Sequence, residues 1–80
     1  MPTVLRTGSL RFVMWLNDHS PAHVHVIAGD AEATIELGGQ GVHPRLVVNC
    51  GMKRADLADA LRAVQEHQAV LLERWRAIHG

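Results

Sequence analysis

The 80-residue chain has a single cysteine, Cys50, so no disulfide can form within it, and a reducing cytoplasm is the expected compartment. It has no surplus of either charge: eight basic side chains balance eight acidic ones. That neutrality argues against strong non-specific nucleic-acid binding, although a local basic patch remains compatible with it. Long apolar runs are missing as well. The longest, Phe12 to Leu16, falls far short of the roughly 20 residues a membrane helix needs. No basic stretch followed by an apolar one opens the sequence, so a secretion signal is not expected. Repeats, low-complexity stretches and linkers are absent too. What remains is one small domain over residues 1–80. Such a chain buries only about 60–65% of the surface its unfolded form exposes, which makes for a thin core.

The chain changes character near Gly51. Before it, short apolar segments alternate with turn residues. Thr3 to Arg6, Leu10 to Leu16, Ala22 to Ala28 and Ala31 to Leu37 read as strands, and Val42 to Val48 as a further one, at an edge or bulged because Pro44 has no N–H for a ladder. Gly29-Asp30 is the Gly-first pair of a two-residue type II′ hairpin turn. Gly38 to Gly41 lies between two strands, lacks the phosphate-loop lysine and reads as a turn. After Gly51 no Pro or Gly occurs before Gly80. Leu57, Leu61, Val64, Gln68, Leu71, Trp75 and Ile78 follow the 4-3 spacing of a helix stripe that only Gln68 interrupts. The expected fold is α+β: an antiparallel sheet of about four short strands with one long C-terminal helix, about Met52 to Ile78, packed on one face.

A helix of that length measures about 39 Å, whereas four strands span only about 15 Å. Either its last turns overhang, making Leu71, Leu72, Trp75 and Ile78 a homo-oligomer interface, or the helix breaks and all four join the core. Trp15 and Trp75 read as core anchors, Trp15 with the further option of covering the histidine face. Cys50 reads as a small buried side chain, His67 as a packing residue and His43 as surface.

The chemistry-bearing feature is a histidine group. A two-residue turn at Gly29-Asp30 pairs Ala28 with Ala31, and therefore His25 with Thr34 and His23 with Glu36. His23 and His25 then stand side by side on the face opposite the apolar one. Asp18 and His19 lie in the preceding loop and can fold back over them. Three readings stay open. His19, His23, His25 and Asp18 could ligate a divalent transition metal such as Zn, Ni or Fe. Alternatively His23 and His25, held by Glu36 or Asp18, could act as catalytic acid and base on a hydroxyl such as an RNA 2′-OH, with Arg6, Arg11 or Arg45 binding a phosphate. The third reading is structural: His19 ties the loop, while His23 and His25 are partly exposed strand residues.

The opening Met1-Pro2-Thr3 and the segment from Asn17 through Asp18, His19, Ser20, Pro21, Ala22, His23, Val24 and His25 to Val26 resemble the small bacterial "domain of unknown function 4160". In that family a strand leads into an Asn-Asp-His-x-Pro-Pro-His-x-His-Val-like segment, followed by an acidic alternating strand and a helix with a late tryptophan. Ala31 to Leu37 and Trp75 correspond here; Ala22 stands in place of the second proline, and Val42 to Met52 matches only loosely. The resemblance implies a small α+β domain, often encoded beside a small partner protein in toxin–antitoxin-like gene pairs, with no established reaction. It also implies that His19, His23 and His25 matter. The expectation drawn from residues and resemblance together is a cytoplasmic toxin-like ribonuclease acting through the histidine cluster, with an antitoxin-like partner. The alternative is a non-enzymatic metal-binding or protein-interaction module.

Overall fold

The computed structural model describes residues 3–39 and 41–80. Met1, Pro2 and Gln40, which the motif and turn readings include, lie outside the described residues. Five strands form one sheet: β1 (Thr3–Thr7), β2 (Leu10–Val13), β3 (His23–Ala28), β4 (Ala31–Glu36) and β5 (Arg45–Cys50). They lie in chain order, and every neighbouring pair is antiparallel. Two helices follow, α1 (Arg54–Glu66) and α2 (Gln68–His79). The α+β class is as expected, with five strands rather than four and two helices rather than one. Among the described residues no helix is long and apolar enough to cross a membrane.

The hairpins follow from their turn residues. Gly29 takes a φ of 60° and Asp30 does not have a positive φ, which is the type II′ pattern. This turn sets the β3–β4 register, including His23 opposite Glu36 and His25 opposite Thr34. Gly8 plays the same role between β1 and β2, with Thr7 opposite Leu10. Strand β2 stops at Val13 rather than Leu16, and the chain from there to Ala22 is a loop. At the far edge, the extra residue Val47 bulges β5 between the Thr34–Val48 and Ile35–Leu46 pairs. Asn49 then accepts the Met52 N–H at 2.8 Å and donates to its carbonyl at 3.2 Å, which closes the turn into α1.

One face of the sheet carries Phe12, Val24, Val26, Ala33 and Ile35, all essentially inaccessible to solvent. They pack with Ala60, Ala63 and Val64 of α1 and with Leu71 and Trp75 of α2. The apolar members of the 4-3 stripe, Leu57, Leu61, Val64, Leu71, Trp75 and Ile78, all pack in or against this core, on two helices that meet at His67. There the Ala63 carbonyl accepts both the His67 backbone N–H at 3.0 Å and its Nδ1–H at 2.9 Å. The break keeps Leu71 and Trp75 over the sheet, with Leu72 and Ile78 half-buried against the same cluster. Gln68, the misfit in the stripe, donates from Nε2 to the carbonyls of Leu37 at 2.6 Å, Val42 at 2.7 Å and Gly39 at 3.2 Å. It ties the glycine turn to the start of α2.

Gly38 in that turn has a φ of 70°, and a Cβ there would meet the Val42 carbonyl oxygen at 2.9 Å. Both the left-handed backbone and the contact oppose a side chain. Gly38→Ala is expected to cost about 1–3 kcal/mol, read from the midpoint of a urea denaturation curve.

Candidate functional site

The sheet face turned away from the helices carries alternate residues of every strand. Cross-strand pairing lays Val13, His25, Thr34 and Val48 in one row, and Arg6, Arg11, Ile27, Glu32 and Cys50 in the next. His23, Glu36 and Arg45 form a third. Strand alternation thus puts both imidazoles of β3 on the face opposite the apolar core, with ring centroids 5.1 Å apart in an edge-on arrangement.

The loop after β2 supplies the third group. Asp18 Oδ2 accepts the Trp15 backbone N–H at 2.9 Å, while the Asp18 N–H donates to the Trp15 carbonyl at 3.1 Å. This reciprocal pairing fixes the carboxylate and turns Oδ1 towards the histidines. Oδ1 lies 3.2 Å from His25 Nε2 and 3.5 Å from His23 Nε2. The three side chains are little exposed, 16% for each imidazole and 12% for Asp18. Burial works to raise the Asp18 pKa, but the Trp15 N–H, the His25 hydrogen bond and the charges of His25 and His23 outweigh it. The net shift is downward from 3.8, so the carboxylate is ionised at neutral pH.

The outer ring nitrogens are engaged as well. His23 Nδ1–H donates to the Pro21 carbonyl at 2.9 Å, across a loop whose Ser20–Pro21 peptide is cis. His25 Nδ1 faces Glu32 Oε2 at 3.4 Å and Thr34 Oγ1 at 3.5 Å. In the metal-free protein the His25 Nε2–H donates to Asp18 Oδ1 at 3.2 Å; with the proton on Nδ1 of both rings, the two Nε2 lone pairs and the carboxylate would converge on one point. In that second tautomer the three atoms offer one cation three ligand atoms.

A family profile matches residues 9–76, that of the domain of unknown function DUF4160. The chain belongs to this family. No curated protein and no solved structure matches it. The DUF4160 match takes in Asp18, His23, His25 and Trp75 and leaves out β1, which carries Arg6, and His79.

Within this DUF4160 domain, the ligand atoms of Asp18, His23 and His25 all lie within 4.8 Å of one another. His19, proposed as a fourth ligand from sequence, is not among them. It is exposed and lines a depression of about 230 Å³ with Pro21, His23, Thr34, Glu36 and Val47. Glu36, the predicted cross-strand partner of His23, is bound instead by Arg45, at 2.8 Å from Nη2 and 3.2 Å from Nε. Cys50 is exposed on the edge strand rather than buried. A larger depression of about 480 Å³ lies between the β1–β2 turn and α1, on the other side of the sheet from the histidine pair.

Sequence reasoning did not place α2 at the site. The Trp75 ring lies 5.2 Å from that of His23 and stacks on His79 at 3.7 Å. His79 Nε2 lies 2.9 Å from the Trp15 carbonyl, and its Nδ1 lies 3.1 Å from that of Trp75. The carbonyl that pairs with Asp18 is therefore also held from the C-terminal helix. No spacing rule links positions 15 and 79, so only the folded chain reveals this support.

Proposed function

We propose that the domain is a divalent-metal-binding module whose ligands are Asp18 Oδ1, His23 Nε2 and His25 Nε2. The observation that carries this reading is the pair of Oδ1–Nε2 separations, 3.2 and 3.5 Å, with the His23 outer nitrogen committed to a carbonyl. Ligands about 2.0–2.1 Å from a tetrahedral zinc stand about 3.3–3.4 Å from one another, so these two separations need little change. Metal-bound histidines characteristically donate their other N–H to a carbonyl or carboxylate, the role Pro21 and Glu32 would fill. Two imidazoles and one carboxylate suit Zn, Ni or Fe(II) and leave a coordination position free. A metal held this way would supply Lewis acidity or an activated water. The chain's own contribution is to fix the ligands and limit solvent around them.

The test is a zinc titration of the metal-stripped full chain by calorimetry, with elemental analysis of the loaded protein. One metal per chain is expected for wild type and none for the His23→Ala, His25→Ala double variant. Absence of binding by wild type to Zn, Ni and Fe(II) at neutral pH overturns the proposal.

A second reading draws on the 3.2 Å Asp18–His25 contact, because a carboxylate-oriented imidazole is the arrangement of a general base. In this reading the domain is a toxin-like ribonuclease controlled by a small antitoxin-like partner. The same preparations separate the two. Cleavage of a short RNA by metal-stripped wild type, lost in the double variant, favours this second reading.

A further inference from the structure

We infer that Arg6 and Arg11 form a binding site for a phosphate-type oxyanion on the open face beside the histidine cluster. The inference rests on the arginine pair and holds whether or not a metal occupies that cluster. Arg6 of β1 lies directly opposite Arg11 of β2. Residues so paired have Cβ atoms about 4.5–5.5 Å apart, and two like charges in that relation destabilise the sheet.

Sheets ordinarily offset such a pair with carboxylates, and none is placed to do so here. Among the described residues, arginine takes part in two ion pairs, Arg45–Glu36 and Arg62–Asp59. Among the described residues neither Arg6 nor Arg11 has a carboxylate within salt-bridge distance, although Arg11 is half-buried. The nearest acidic residue in their row is Glu32, separated from Arg11 by Ile27 of the intervening strand. Two strand spacings amount to about 9.6 Å, and the Glu32 carboxylate turns to His25 Nδ1 at 3.4 Å. Two unneutralised guanidiniums on adjacent strands are an arrangement that an external anion relieves.

The chemistry selects the anion. One guanidinium fork satisfies a carboxylate, whereas two forks call for a tetrahedral oxyanion with three or four acceptor oxygens and up to two charges. Strand order also relates the pair to the cluster. Val13 lies opposite His25, so Arg11 is the diagonal neighbour of His25, about 7–8 Å away along the sheet and within reach of an extended arginine. Arg45, the third arginine considered from sequence, lies beyond His23 in another row and is held by Glu36. A phosphate gripped by Arg6 and Arg11 would therefore present its ester group towards the imidazoles.

Thermal unfolding of the metal-stripped full chain in phosphate, against chloride at equal ionic strength, tests the site. Phosphate is expected to raise the wild-type midpoint saturably, by about 4 °C or more at saturation. Arg6→Gln and Arg11→Gln should each abolish the shift, and in phosphate-free buffer each should be at least as stable as wild type, because the repulsion is gone. Arg74→Gln, on the exposed side of α2, should keep the full shift. No phosphate-specific stabilisation, or a shift that survives in both arginine variants, overturns the inference. Fluorescence anisotropy with a labelled single-stranded RNA identifies the source of the oxyanion. RNA binding lost in the same variants assigns a nucleic-acid backbone, and stabilisation by phenyl phosphate without RNA binding assigns a small phosphate ester.

Discussion

Asp18→Ala is expected to lower zinc affinity by more than about 100-fold, measured by calorimetry at neutral pH. The variant removes one of the three proposed ligands and the only anion among them, so two imidazoles would remain, too few for a stable zinc site. It also frees the Trp15 N–H that Oδ2 accepts, which loosens the loop from its place over β3. Asp18→Asn separates these effects, because an amide oxygen still accepts that N–H but carries no charge. Both variants should lose the metal, and only the alanine should also loosen the loop.

The same residue gives a pH signature in the metal-free protein. Its folded-state pKa lies below the unperturbed 3.8, so the unfolded chain takes up the proton first as pH falls. The stability that the carboxylate contributes is complete above the unfolded value and is lost as the pH drops through the lower folded one. The gap in urea midpoint between wild type and Asp18→Asn should therefore be constant near neutrality and close below about pH 4. A gap that stays open in strong acid would mean that Asp18 stabilises the loop through something other than its charge.

The part of this site that sequence made legible is the part set by local rules. A Gly-first turn leaves one register for β3 and β4, and alternation then fixes the face of His23 and His25. Loop proximity made Asp18 and His19 equal candidates. The reciprocal Trp15–Asp18 pairing decides for Asp18, and a turn of that kind is visible only when the backbone closes. Partners distant in sequence carried no such signal. Glu36 was free to pair with His23 until β5 brought in Arg45, and β5 itself was poorly marked because its bulge at Val47 destroys alternation. Cys50, with no Cys or His at activating spacing, reads as a small buried side chain, yet an edge strand offers it no cover. The helix break has no Pro or Gly to announce it. Its trace in the sequence is Gln68, a polar residue in an apolar stripe, which the carbonyls of a distant turn explain.

Trp75→Ala is expected to cost about 3–5 kcal/mol, the usual range for emptying a large aromatic site in a core. A chain of this size commonly has only about 4–12 kcal/mol of stability in all, so the variant should unfold at much lower urea and be partly unfolded near body temperature. This outcome separates two roles that the sequence left open for the C-terminal helix. Were Trp75 an anchor between subunits, its loss would dissociate an oligomer and leave each chain folded, with a midpoint that depends on protein concentration. Trp75 is instead 8% exposed and packed with Leu71 and the sheet core, so the midpoint should fall equally at all concentrations, with no change of mass by light scattering before unfolding. Trp75→Phe should recover most of the stability, because it keeps a flat ring between His23 and His79. The phenylalanine variant also carries the test from stability to the site. If packing against His23 helps to hold its Nε2 towards Asp18, zinc affinity should follow the order wild type, Trp75→Phe, Trp75→Ala among molecules that remain folded. Equal affinity in all three would mean that the Pro21 carbonyl alone orients the ring.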